Sequence, residues 1–248
     1  MDIISLLDTL KPEFHLKGGT AGVPNAEDFL LHGRKTQTAE HERTSYALGK
    51  RSLEYIQSIV TPDSVTLETG AGKSTVVFAF NARQHHCFNP DQTSNQLIRS
   101  FIVDNGRDAS NLIFHEDSSD FGLAGAKIDG KIDIALIDGC HSFPLPIVDW
   151  HYIDYLLDIG GILLVDDNQI NAVRILSEFL IMDGCYKKTE EVGNLWAFRK
   201  VRERSVGWVN QEFNKRPLFN MEKSNTRVIE DIIALNNKIW RRIRTKYF

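Results

Sequence analysis

Glu68, Gly70, Gly72 and Ser74 stand at alternate positions after the apolar run Val65-Thr66-Leu67, in the segment Glu68-Thr69-Gly70-Ala71-Gly72-Lys73-Ser74-Thr75. A strand that turns on glycine into a helix gathers bare backbone N–H groups and the positive helix end at one point. With a carboxylate ready to accept hydrogen bonds, the stretch has the parts of a cofactor site. A second group follows where Asp138 closes the run 132–137 and His141 comes three residues later. A third is Asp166 and Asp167, which close a run that begins at Gly160-Gly161. Carboxylates of this kind can hold a hard divalent cation, and a histidine near neutrality can take a proton from a hydroxyl.

The elements between these groups must bring them together. Apolar runs at 65–69, 85–88, 112–115, 132–138 and 159–165 alternate with helical patterns at 74–82, 92–105 and 145–157. Such alternation predicts a doubly wound α/β fold, with a mostly parallel sheet and helices on both faces. The runs 132–138 and 159–165 are apolar on both faces, as central parallel strands are. Both should end beside the first strand, at the edge where open α/β sheets bind ligands, so that Asp138, Asp166 and Asp167 converge there. After a helix at 171–182, the runs 186–192 and 194–200 flank Gly193 and predict a terminal antiparallel hairpin, which makes seven strands in all. Upstream, a short helix at 3–10 and a glycine- and proline-rich loop precede a helix over 38–60, which Pro62 stops. Downstream, 206–224 is mixed. In 225–248, Ile229, Ile232, Ile233, Ile239, Trp240 and Ile243 fall at helical spacing above a basic end. The expected organisation is an N-terminal extension over 1–43, a core domain over 44–200 and a helical extension over 201–248.

Several residues carry two readings. At the end of the second strand, where an acid usually receives ribose hydroxyls, stands Asn89, with Asp91 two residues on; Asp91 also fits a helix N-cap. Asp117 and Ser118 follow the third strand and either reach an adenine ring or form an ordinary acidic turn. The Thr44-Ser45 pair lines a cofactor mouth or caps a helix. Asp138 either holds metal or positions the cofactor without it, and Asp166 and Asp167 either bind metal or cap the next helix. His85 and His86 are strand neighbours and point to opposite faces, which argues against a shared metal. Cys140 has no activating neighbour in the sequence and reads as filler.

Gly70-Ala71-Gly72-Lys73-Ser74-Thr75 also looks like the end of a phosphate-binding loop. That loop needs a glycine five positions before the Gly-Lys pair, and Leu67 stands there. The whole pattern decides differently. Glu-Thr-Gly-x-Gly-x-Ser-Thr, Ile-Asp-Gly-x-His-Ser, and Gly-Gly followed by four apolar residues and Asp-Asp together resemble class I S-adenosylmethionine (SAM) methyltransferases. The branch is that of small-molecule O-methyltransferases grouped with macrocin O-methyltransferase, with a more distant similarity to catechol O-methyltransferases. The resemblance covers about residues 44–200. It implies a Rossmann-like fold with SAM as cofactor, in which Glu68 binds the methionine amino group and Gly70, Gly72 and Ser74 let the cofactor lie against the backbone. It further implies that Asp138, Asp166 and Asp167 hold Mg2+ or another divalent cation, and that His141 takes the place of the catechol type's base. The expected reaction is O-methylation of a small hydroxylated substrate such as a sugar or natural product. Two other readings are a phosphate-binding triphosphatase or kinase and a non-catalytic SAM-fold module.

The 248 residues are 42% apolar, enough for a core, and a net charge of -4 gives no general reason to bind nucleic acid. Three widely spaced cysteines suggest neither a disulfide framework nor a zinc site. An acidic start and the lack of a long apolar run predict a cytoplasmic protein without a membrane span. The basic end of 225–248 is favourable with a helix dipole, and the apolar face of that helix offers a surface for a homo-oligomer.

Overall fold

The computed structural model describes residues 3–8, 48–204, 207 and 210–215. The chain divides into two units, 1–203 and 204–248. In the first, α1 (Ile3–Asp8) and α2 (Lys50–Ile59) precede β1 (Val65–Thr69), α3 (Lys73–Asn81), β2 (Gln84–Phe88) and α4 (Gln92–Asp104). Then follow β3 (Leu112–His115), α5 (Ser119–Gly125), β4 (Ile132–Ile137), α6 (Leu145–Leu156), β5 (Leu157–Val165), α7 (Asn171–Asp183), β6 (Tyr186–Val192) and β7 (Leu195–Lys200). The described part of the second unit includes a short helix, α8 (Glu212–Lys215). The loop expected after α1, the Thr44-Ser45 pair and the helix expected over 225–248 lie outside the described residues.

The seven strands form one sheet in the order β3-β2-β1-β4-β5-β7-β6. The first five are mutually parallel, and β7 runs antiparallel between β5 and β6. This is the expected doubly wound sheet with its terminal hairpin. Alternation along the strands sorts the core into two layers. Ile134 and Leu136 face a cluster with Leu53 of α2, Val76 and Phe78 of α3 and Ile98 of α4, to which α1 adds Ile4 and Leu7. Ala135 and Ile137 face the other side, with Leu123 of α5, Trp150 and Ile153 of α6 and Leu176 of α7. Burial of both faces is what makes the central strands read as unbroken apolar runs.

Two boundaries differ from expectation. The helix expected over 38–60 begins only at Lys50, with Gly49 as its N-cap. β5 begins at Leu157, directly after α6, rather than at 159. The ladder with β4 starts at Ile132 opposite Leu157 and resumes at Ile134 opposite Ile162, so residues between them bulge outward. Gly160 takes φ +90 in that bulge, and a Cβ on Gly161 would lie 3.0 Å from the Asp133 carbonyl oxygen. The glycine pair thus shapes a bulge within the strand, where close backbone approach leaves no room for a side chain.

Candidate active site

The strand order reverses between β1 and β4, and backbone hydrogen bonds carry the sheet one step past the ends of its strands. Asn89 N–H donates to His115 O at 3.0 Å, Gly70 N–H to Phe88 O at 3.0 Å, Asp138 N–H to Thr69 O at 3.2 Å and Asp166 N–H to Ile137 O at 3.1 Å. The loops after β2, β1, β4 and β5 therefore form one rim. Gly70 turns with φ +83, and a Cβ there would meet the Asp138 carbonyl oxygen at 2.3 Å. Only glycine fits, because both the backbone angle and the neighbouring carbonyl forbid a side chain.

Behind the glycine turn, Glu68 is 1% exposed. Its Oε1 accepts from the Thr75 hydroxyl and interacts with His85 Nε2 at 3.1 Å, while its Oε2 has no hydrogen-bond partner. Thr75 in turn receives the Gly72 N–H at 2.9 Å, which ties the start of α3 to the carboxylate. Ser74 is buried in the first turn of the same helix. Cys87, beside Glu68 in the sheet register, donates its thiol to Gly70 O at 3.2 Å; burial and the Glu68 charge push that thiol well above its usual range.

Across the rim, Asp138, His141 and Asp167 converge. One ligand atom from each lies within 4.8 Å of the others. His141 Nε2 is 3.7 Å from Asp138 Oδ1, and its Nδ1 is 3.4 Å from Asp167 Oδ2. Asp166 adjoins this trio and is buried. Burial first, then Asp166, Asp167 and Glu68, hold the Asp138 carboxyl well above the ordinary carboxylate range. Burial and Asp167 push Asp166 up to about 6. Burial lowers His141 from its usual value against the opposing pull of Asp167, so near neutral pH its ring is unprotonated. Asp167 adopts φ +59, uncommon outside glycine, and receives Gln169 Nε2 at 2.7 Å. Neither acid caps α7, whose N-cap is Ile170.

The remaining expected residues are placed as follows. Asp91 caps α4, accepting from Thr93 N–H and Ser94 N–H at 3.0 and 3.2 Å. Asn89 pairs with Asn95 through its side-chain amide at 2.8 Å. Asp117 is exposed, and the exposed Ser118 donates to Asp120 before α5. His85 and His86 diverge, His85 toward Glu68 and His86 toward His115 at 3.0 Å. Sequence reasoning passed over Thr75, His85 and also Asp149, a fully buried acid in α6 that burial pushes up to about 6. The signal for His85 was partial: it is a polar residue in a run where a buried strand calls for apolar ones, and only the register of β1 with β2 puts it on the face of Thr66 and Glu68.

Residues 67–168 match a family model described as a methyltransferase domain. This stretch of the chain is thus similar to methyltransferase domains. Every rim residue named above lies inside the matched segment. The fold is shared with cofactor-bound Rv0187 from MTB, at 17% identity and TM-score 0.55 over 64% of this chain and 83% of that one. It is shared also with a proposed O-methyltransferase from Klebsiella pneumoniae, at 16% identity and TM-score 0.54 over 62% and 81%. A proposed caffeoyl-CoA O-methyltransferase from Staphylococcus aureus has 15% identity and TM-score 0.52 over 63% and 85%. No curated protein matches the sequence. Among the described residues, no helix is long and apolar enough to cross a membrane.

Proposed function

We propose that the chain is a SAM-dependent methyltransferase that methylates a hydroxyl of a small molecule, of sugar or natural-product type, with help from a divalent cation. The observation that carries this reading is the contact between Gly70 and Asp138, which places the glycine turn and the three rim aspartates on one edge of the sheet. Glu68 fits the cofactor's amino group, because its Oε2 is buried without a partner. Gly70, Gly72 and Ser74 give the cofactor its backbone bed, Asn89 or Asp91 stands near the ribose, and Asp117 and Ser118 near the adenine.

The donor set also fits a cation. Asp138 and Asp167 present carboxylate oxygens toward one point, Asp166 adjoins them, and neighbouring carboxylates help raise the pKa of Asp138 and of Asp166 in a way that a positive charge would relieve. Bound there, a divalent cation supplies charge that acidifies an acceptor hydroxyl and fixes its position. SAM supplies a methyl group on a sulfonium, so the protein's task is to hold the hydroxyl oxygen in line with it. His141, unprotonated and close to both Asp138 and Asp167, takes the hydroxyl proton.

A second reading of His141 rests on its own observation. Its ring nitrogen completes the group whose ligand atoms lie within 4.8 Å, so the imidazole can itself bind the metal. The test is transfer from radiolabelled SAM to a panel of hydroxylated acceptors, with and without chelator. Labelled product that disappears with chelator and returns with Mg2+ or Mn2+ supports the proposal; transfer indifferent to chelator removes the cation. In the same assay, His141→Ala that keeps cation affinity but loses turnover supports the base, and loss of cation affinity supports the ligand.

A further inference from the structure

A central strand buried on both faces gains nothing from polar side chains unless their hydrogen bonds are met. Yet on one face of β1 and β2 the residues Thr66, Glu68, His85 and Cys87 are all buried, His85 at 0% exposure. The bonds among them form a chain with a direction. Thr66 Oγ1 lies 2.8 Å from His85 Nδ1, and His85 Nε2 lies 3.1 Å from Glu68 Oε1. The Thr66 hydroxyl also lies 3.3 Å from Gln84 O; where it donates its one hydrogen to the nearer Nδ1, the ring carries its hydrogen on Nε2 and donates it to Glu68. Phe78 of α3 stacks on the ring at 4.7 Å, leaving it little freedom to turn. Thr75 donates to the same Oε1, and Gly72 N–H fixes Thr75. Two donors thus crowd one oxygen of the carboxylate, and the other is left without a partner.

We propose that His85 is a positioning residue for the amino-acid end of the cofactor: with Thr75 it occupies Oε1 of Glu68 and so reserves Oε2 as the acceptor for the cofactor's ammonium group. The inference rests on the reading of Glu68 given above and adds to it a residue outside the glycine motif. Without His85, the carboxylate can rotate, share its oxygens between Thr75 and solvent, and meet the ammonium in more than one arrangement. The cost then falls on recognition of the ammonium and spares the nucleoside end.

The test compares two ligands on the full chain by calorimetry: S-adenosylhomocysteine, which has the amino-acid end, and 5′-methylthioadenosine, which lacks it. His85→Phe keeps the ring's shape and stacking but removes the bond to Glu68. The expected result is a loss of about tenfold in S-adenosylhomocysteine affinity with 5′-methylthioadenosine unchanged. Glu68→Gln should lose at least as much for the first ligand, and the double variant no more than Glu68→Gln alone. Equal losses for both ligands in His85→Phe overturn the inference, since they mark a merely structural role. No loss in His85→Phe beside a clear loss in Glu68→Gln also overturns it, while leaving Glu68's role intact. Unchanged S-adenosylhomocysteine affinity in Glu68→Gln overturns the reading of Glu68 itself. Should His85→Phe fail to fold, Thr66→Val removes the group that sets the ring's tautomer and should give a smaller loss with the same selectivity; no selectivity there overturns the inference.

Discussion

The glycine turn and the carboxylate rim lie side by side, and they treat buried negative charge in opposite ways. At the turn, Glu68 is enclosed and its Oε1 is held by donors from α3 and β2. At the rim, Asp138 and Asp166 have other carboxylates among the main causes of their raised pKa values. His141, the ring between Asp138 and Asp167, is kept unprotonated near neutrality by burial. In the first arrangement the protein's own donors hold one carboxylate oxygen and leave the other without a partner. The second would be relieved by a cation, and the proposed metal-assisted transfer would use this contrast: a fixed cofactor end beside a chargeable acceptor end.

The contrast can be broken or sharpened by substitution. The largest effect is expected from Gly70→Ala, where a positive φ and a Cβ 2.3 Å from the Asp138 carbonyl oxygen act together. A loss of about 4 kcal/mol in unfolding free energy is predicted from strain and overpacking. Denaturant titration measures it, and a loss below about 1 kcal/mol would separate the two regions that the rim hydrogen bonds join.

Next is Asp166→Asn in metal-free buffer. The folded-state pKa near 6 lies above the unfolded value, so the native state holds this proton more tightly. The associated stability is present below about pH 4 and is lost as pH rises through 6, by roughly 3 kcal/mol. The amide variant is therefore expected to match the parent at pH 4 and to be the more stable protein at pH 8, as read by thermal melting. No change in the difference between those pH values would show that the rim charge is already relieved by the protein.

A smaller effect, with a sign that separates the regions, is expected from Asp167→Gly. Glycine tolerates φ +59 and removes a carboxylate that raises both neighbours, so the metal-free protein should gain about 1 kcal/mol. The same change should abolish any rise in melting temperature on adding Mn2+. Stabilisation by Mn2+ that persists in the variant removes Asp167 from the cation site. The smallest effect is a control on the terminal hairpin: Lys188 sits over the Trp196 ring at 3.1 Å, and Lys188→Ala should cost under about 1 kcal/mol without altering ligand binding.

Much of this architecture was legible in the sequence because its signals are local. Double-sided apolar runs announced the central strands, and the turn at Gly193 announced the hairpin that places β7 against β5. Spacing grouped Glu68 with Gly70 and Asp138 with His141, and the resemblance to methyltransferases supplied their expected roles. What was not legible depends on register between distant segments. That His85 lies opposite Thr66, one step from Glu68, follows from pairing of β1 with β2. The bulge after α6 arises from the Asp133 backbone approaching Gly161, and no pattern within 157–165 reveals it. Asp91 illustrates a different difficulty: an acid at a strand's end and an acid at a helix's start occupy the same place in the sequence, and only the bonds to Thr93 and Ser94 show the capping role.

On the proposed function, the edge formed by Glu68, Gly70 and Asp138 receives an amino-acid-tailed adenosine cofactor. Titration calorimetry of the purified chain with S-adenosylhomocysteine and, separately, with ATP and Mg2+ tests it most directly. The expected result is one S-adenosylhomocysteine bound per chain and no saturable heat from ATP. Saturable ATP binding with no response to S-adenosylhomocysteine would contradict it.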